Sequence, residues 1–228
     1  MNIYKQHRII SCAQNMNLGV IFQAAFFTFI SVVILGGCGS ILPKAPIQPT
    51  LYVLNTVPRL AAPPPPSATQ SRLSAPTLTV STPIAAAGFG STHIVYQRQA
   101  YELEHFAVNQ WVDTPVQMLT PLIVRTLETS GAFRAVLRGS TAALSELRLD
   151  TELVRLQQEF QTSPSRVRLT LRAVMVDAAT RRVLASREFE ASIPSPSEDP
   201  AGGVVAANLA VENVLAQLSK FCAEFAAR

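Results

Sequence analysis

Arg166-Val167-Arg168-Leu169-Thr170-Leu171-Arg172-Ala173-Val174-Met175 decides the fold class. Val167, Leu169, Leu171, Ala173 and Met175 fall on one side of an extended chain, with Arg166, Arg168 and Arg172 on the other. Successive side chains of a strand point to opposite faces, so the stretch reads as a strand with one apolar and one solvated face. Upstream, Leu147, Leu149, Thr151 and Leu153 alternate with Arg148, Asp150 and Glu152. Val154 and Leu156 then shift the phase, which predicts a bulge. Downstream, the turn Asp177 to Arg182 leads into Val183, Ala185, Phe189 and Ala191 on one side and Ser186, Glu188 and Glu190 on the other. Strands patterned this way predict an antiparallel sheet covered on a single side.

Two helical stretches supply the cover. Thr114-Pro115 reads as N-cap and first helical residue, where the missing N–H of proline costs nothing. Val116, Leu119, Leu122, Ile123 and Leu127 follow at helical spacing, Gly131 is the stop, and Pro121 predicts a kink or a delayed start. After the loop Pro194 to Gly203, an apolar stripe runs through Val204, Ala207, Val211, Leu215, Leu218, Cys222 and Phe225. The expected fold is α+β, a two-layer sandwich: a mainly antiparallel sheet covered on one face by two helices. Leu78-Thr79-Val80 adds a short strand. His93 to Arg98 and Tyr101 to Trp111 read as a hairpin, and Phe133, Val136 and Leu137 return the chain to the sheet.

The N-terminus has another character. Lys5 and Arg8 precede the apolar, uncharged run Leu18 to Leu35, and Leu35-Gly36-Gly37-Cys38 closes it. A basic start, an apolar middle and a small-residue exit read as a secretory signal. The last four residues resemble the lipobox of bacterial lipoproteins, in which the cysteine is acylated and becomes the mature N-terminus. An uncleaved membrane anchor is the competing reading, weakened by Gln23, Thr28 and Ser31. Gly39 and Ser40 after the cysteine, in place of an aspartate, favour the outer membrane by analogy with such lipoproteins. The expected organisation is a lipoprotein signal peptide over 1–37, a lipidated Pro-rich tether over 38–76 and an α+β domain over 77–228. Pro63-Pro64-Pro65-Pro66 makes the tether a semi-rigid spacer, and Leu51-Tyr52-Val53-Leu54 interrupts it as a short edge strand or docking segment.

Charge and cysteine content exclude several classes. The formal net charge is +4, and loss of Lys5 and Arg8 with the leader, which carries no acidic residue, halves it. So small a charge on an exported chain argues against nucleic acid as partner. Cys12 leaves with the leader and Cys38 takes lipid, so Cys222 remains, on an apolar helical stripe, as a buried structural thiol. His93 and His105 have no nearby ligand partners, and neither a nucleophile elbow, a zinc-protease pair nor a phosphate loop occurs. No catalytic residue, metal or cofactor is expected. Asp150 and Glu152 find partners in Arg148, Arg166, Arg168 and Arg172 and read as a solvated ion-pair ladder. Sixteen of the 19 basic residues are arginine, a residue able to grip anionic groups with two hydrogen bonds. Charged residues make up 15% of the chain, against about 25% in ordinary domains, so exposed apolar surface for a partner or self-assembly is expected. Tyr96, Tyr101, Phe106 and Trp111 cluster at the hairpin as candidate docking residues, with core packing as the alternative.

Taken together, Cys38, Tyr52-Val53-Leu54, Val95-Tyr96-Gln97-Arg98, Tyr101-Glu102-Leu103, Trp111 with Pro115, Leu127 to Val136 and Arg166-Val167-Arg168-Leu169 resemble the ABC-type transport auxiliary lipoproteins, which include the PqiC-like intermembrane transport proteins. His105, where an aromatic is expected, and Pro121 depart from that pattern. The resemblance implies a non-enzymatic lipoprotein on the periplasmic face of the outer membrane. Its implied partners are the membrane, through acyl chains on Cys38, and the periplasmic MCE-domain protein of an ABC-type lipid transport system. It also implies self-association into a homo-oligomeric ring. An outer-membrane assembly or cell-wall-synthase-activating lipoprotein of similar shape is the alternative. A periplasmic hydrolase lacks its nucleophile and base.

Overall fold

The computed structural model describes residues 48–58, 74–139 and 145–227, which build a nine-stranded sheet and two helices. The signal run Leu18 to Leu35, Cys38 and the proline run Pro63 to Pro66 lie outside the described residues.

Three long strands carry the sheet: β7 (Leu147–Glu159), β8 (Arg166–Asp177) and β9 (Val183–Pro194). They pair as antiparallel neighbours, with Leu149 opposite Met175 and Leu171 opposite Phe189. The β7–β8 register shifts between Leu153 and Arg155, so the extra residue is Val154, where the sequence changes phase. The other edge of β7 is shared in succession by β2 (Thr77–Val80), β3 (Ile84–Ala85) and β4 (His93–Gln97), all parallel to it. β6 (Ala135–Arg138) lies parallel to β2, and β5 (Glu104–Trp111) closes the expected antiparallel hairpin with β4. The sheet is therefore mixed, with its long ladders antiparallel. Periodicity reports which face a residue occupies and is silent on the direction of the neighbouring strand.

β1 (Thr50–Tyr52) joins β5 in parallel, setting Tyr52 opposite Trp111. The segment Leu51 to Leu54, read as a short edge strand or docking segment, thus enters the sheet as an edge strand at Leu51 and Tyr52. Beyond it, Leu54 is buried at 3% exposure and its N–H lies 3.5 Å from Met118 Sδ. Asn208 clasps the same segment: its Oδ1 accepts from Asn55 N–H at 2.9 Å and from Thr56 Oγ1 at 3.0 Å, while its Nδ2 donates to the Val53 carbonyl at 3.2 Å.

The helical layer is α1 (Pro115–Ser130) and α2 (Pro200–Ala226). α1 begins at Pro115 and continues through Pro121, so its start is not delayed. Thr114 has the extended backbone of an N-cap but makes no side-chain capping bond. At the other end Gly131 takes the left-handed conformation, φ 66°, that an L side chain resists. Leu119, Ile123 and Leu127 of α1 pack with Ala207, Val211, Leu215, Leu218 and Cys222 of α2 into one core with Leu149, Leu153, Leu169, Leu171 and Met175 of the sheet. α2 is long and apolar enough to cross a membrane by composition, yet half of that window is buried inside the protein. Its hydrophobicity belongs to the core.

The start of α2 is tightly specified. Asp199 caps it by accepting from Gly202 N–H at 2.7 Å and from Ser197 Oγ at 2.9 Å. A Cβ on Gly202 would fall on the backbone oxygen and nitrogen of Ser197. Because main chain cannot swing aside as a side-chain tip can, Gly202→Ala is expected to cost roughly 1–3 kcal/mol, read as a lower urea midpoint at unchanged m-value.

The face of the sheet away from the helices bears the expected ladder. Arg168 bridges Glu159 at 2.9 Å and Glu190 at 2.6 Å, Arg172 bridges Glu152 at 2.7 Å and Glu188 at 3.2 Å, and Arg148 pairs with Asp150 at 2.9 Å. Arg166 departs from the pattern and bonds Ser192 instead. Partial burial of Glu159 works against its charged form, but hydrogen bonds from Arg168 and Gln157 together outweigh it and hold the carboxyl below its usual range. A depressed native pKa stabilises the fold above the unfolded value of about 4.3 and is lost as pH falls below it. Glu159→Gln is therefore expected to flatten the acid limb of a stability-versus-pH profile and to leave its slope near neutrality unchanged.

Candidate functional site

The β4–β5 hairpin carries all four aromatics singled out in the sequence, and the structure separates them. Trp111 is buried in the core at 3% exposure. Its backbone N–H donates to the Thr92 carbonyl at 2.8 Å. Tyr96, also buried, packs against Phe106 at 4.5 Å between centroids and edge-on against Phe160 at 5.8 Å. Its hydroxyl donates to Glu104 Oε2 at 2.9 Å, and the Arg98 guanidinium lies 4.9 Å above its ring. The Glu104 hydrogen bond, then burial, raise the Tyr96 hydroxyl above its ordinary value. Phe160 was not anticipated from the sequence; it follows the polar end of β7 with no periodic partner to mark it.

Tyr101 stands apart. It is fully exposed at the hairpin tip with φ 68°, a conformation rare outside glycine. Leu103 beside it is 46% exposed, and its Cδ1 lies where a Cβ on Gly88 would touch it. The tip is thus an aromatic–aliphatic projection on a hairpin whose strands are cross-tied by Tyr96, Arg98 and Glu104.

The remaining candidates for chemistry are structural. His105, which stands where an aromatic is expected, stacks on His93 with centroids 4.4 Å apart, so the imidazole does a ring's packing work across the strands. Burial pushes the Cys222 thiol up to about 12, which removes the thiolate needed for reactivity. Among the described residues no group of three or more His, Cys, Asp or Glu could hold a metal ion. Glu152 and Asp150 are each held by arginine, so neither is set up as half of an acid–base pair.

Residues 59–219 match the family described as ABC-type transport auxiliary lipoprotein component. The chain belongs to that family. As an auxiliary lipoprotein it is similar to protein XCC0632 from Xanthomonas campestris, whose crystal structure superposes with a TM-score of 0.65 at 26% identity, covering 77% of this chain and 95% of that one. A second crystal structure, of an uncharacterized protein, superposes with a TM-score of 0.59 at 12% identity over 77% of this chain and 99% of that one, and shows the shared fold. No curated protein matches the auxiliary lipoprotein. The family match starts at residue 59, after β1, so the clasp of Asn208 on residues 53–56 comes from the structure alone.

Proposed function

We propose that this auxiliary lipoprotein is a non-enzymatic adaptor on the periplasmic face of the outer membrane. In this reading Cys38 carries the acyl chains, and the folded body receives the periplasmic MCE-domain protein of an ABC-type intermembrane lipid transport system. Family membership supports the transport role. The docking role rests on Tyr101. Holding a non-glycine residue in the left-handed region costs free energy, and a fully exposed ring recovers none of it within its own chain. A rigid aromatic presented on a pinned hairpin supplies contact area to a partner at little conformational cost.

A photoreactive amino acid at Tyr101, in intact cells, is expected to crosslink the MCE-domain protein, while the same group at Ser186 on β9 is not. Recovery of a cell-wall synthase or a β-barrel assembly machine, or of no partner, overturns the reading. Tyr101→Ala is expected to change stability by less than about 0.5 kcal/mol while weakening capture of the partner from a probe at Leu103. Assembly into a ring belongs to the same reading and is checked by the mass of the detergent-solubilised protein.

A further inference from the structure

The stretches 48–58, 107–112 and 200–211 contain no charged residue. They lie far apart in sequence, and the fold brings them to one rim. β1 pairs with Asn109 to Trp111 of β5, and Asn208 of α2 bonds the backbone that follows β1. Leu51, Val53, Val112, Val205 and Leu209 are all about half exposed or more along this rim. Val205 and Leu209 flank Asn208 on the helix surface at the spacing that places side chains side by side.

The length of chain before β1 selects what this rim meets. Residues 39–49 separate Cys38 from Thr50, a span of at most about 40 Å when fully extended. The Pro-rich run lies after β1 and adds nothing to that reach. Lys44 is the only charged residue in the span, and its sign suits an anionic headgroup layer. A leash this short ends at the strand that borders the apolar rim.

We propose that the rim formed by β1, the end of β5 and the first half of α2 rests on the bilayer surface, with Leu51, Val53, Val205 and Leu209 seated among the headgroups. The proposal rests on acylation of Cys38 and is independent of which protein docks at Tyr101. Membrane contact at this rim sets the orientation of the body, so the hairpin tip is held at a defined height instead of swinging on its leash.

The test uses the full acylated protein in vesicles of phosphatidylethanolamine and phosphatidylglycerol carrying a nitroxide-labelled lipid. Val53→Cys, Leu209→Cys and Ser186→Cys each take an environment-sensitive fluorophore; the buried Cys222 stays unlabelled. Labels at 53 and 209 are expected to be quenched severalfold more than the label at 186. Adding Leu51→Ser and Val205→Ser should abolish that excess while the protein still sediments with the vesicles. Equal quenching at all three positions overturns the proposal. So does shielding of 53 and 209 by a second copy or another protein without lipid quenching. Mass spectrometry of the N-terminal peptide reports acylation separately, so a missing anchor and a wrongly chosen rim give different results.

Discussion

Trp111→Ala is expected to destabilise the protein by about 3–5 kcal/mol. The indole sits where β1, the hairpin and α2 meet, lining a small cavity with Ile94, Leu156, Val167, Gly203 and Ala207. Two of those neighbours are already minimal in size. A Cβ on Gly203 would run into the Gln158 amide, which is buried and held by Ser165 and Ser195. The wall therefore has little freedom to collapse into the space an alanine would leave, and the cost belongs at the upper end of large-to-small substitutions. Against a total of about 5–15 kcal/mol for a typical domain, the loss should be obvious in urea denaturation. A change below about 1 kcal/mol would show that the seam repacks and that Trp111 is not the keystone of this corner. Any loss of partner binding in this variant follows from unfolding, which is why Tyr101→Ala is the informative substitution for docking.

Cys38→Ser is expected to move the protein from the membrane fraction to the soluble periplasm. Each buried methylene of an acyl chain contributes about 0.8 kcal/mol, and one chain alone binds only marginally while two or more hold stably. The rim side chains are only about half exposed, so in the proposed arrangement they are expected to orient the protein without retaining it. Serine keeps the size of the side chain but offers no thiol to take up lipid. Fractionation of cells expressing each form decides the matter. A serine variant that stays quantitatively in the membrane fraction would remove the anchor from this account.

Much of the fold is legible in short-range pattern. The alternation from Arg166 to Met175 appears as β8, the phase change at Val154 as the register shift in β7, and Thr114-Pro115 and Gly131 as the ends of α1. The arginine-acid ladder is equally visible, because cross-strand neighbours on a solvated face must be complementary or pay repulsion. The pattern misleads at Val183, assigned to the apolar face but 64% exposed at the start of β9, beyond the reach of the helical cover. At Arg187 the reverse holds. Its charge marks an exposed residue, yet its guanidinium lies 4.8 Å over the Phe221 ring and pairs with Glu224 at 3.3 Å, so it extends the helix-facing side of the strand.

The four hairpin aromatics show where local reading ends. Composition places Tyr96, Tyr101, Phe106 and Trp111 together, but a buried and a displayed ring have the same one-letter pattern when both sit on a strand or its turn. Only the packing of β1 and α2 over one end of β5 buries Trp111, and only the left-handed turn frees Tyr101. The sequence by itself determined the two-faced strands, the helical stripes and the class of the protein, because each depends on residues a few positions apart. The tertiary structure alone decided that Thr50–Tyr52 pair in parallel with β5, that Asn208 clasps the residues after them, and that these uncharged stretches form one rim. Those outcomes depend on pairings between residues as distant as Val53 and Asn208, and no local periodicity encodes a partner 155 positions away.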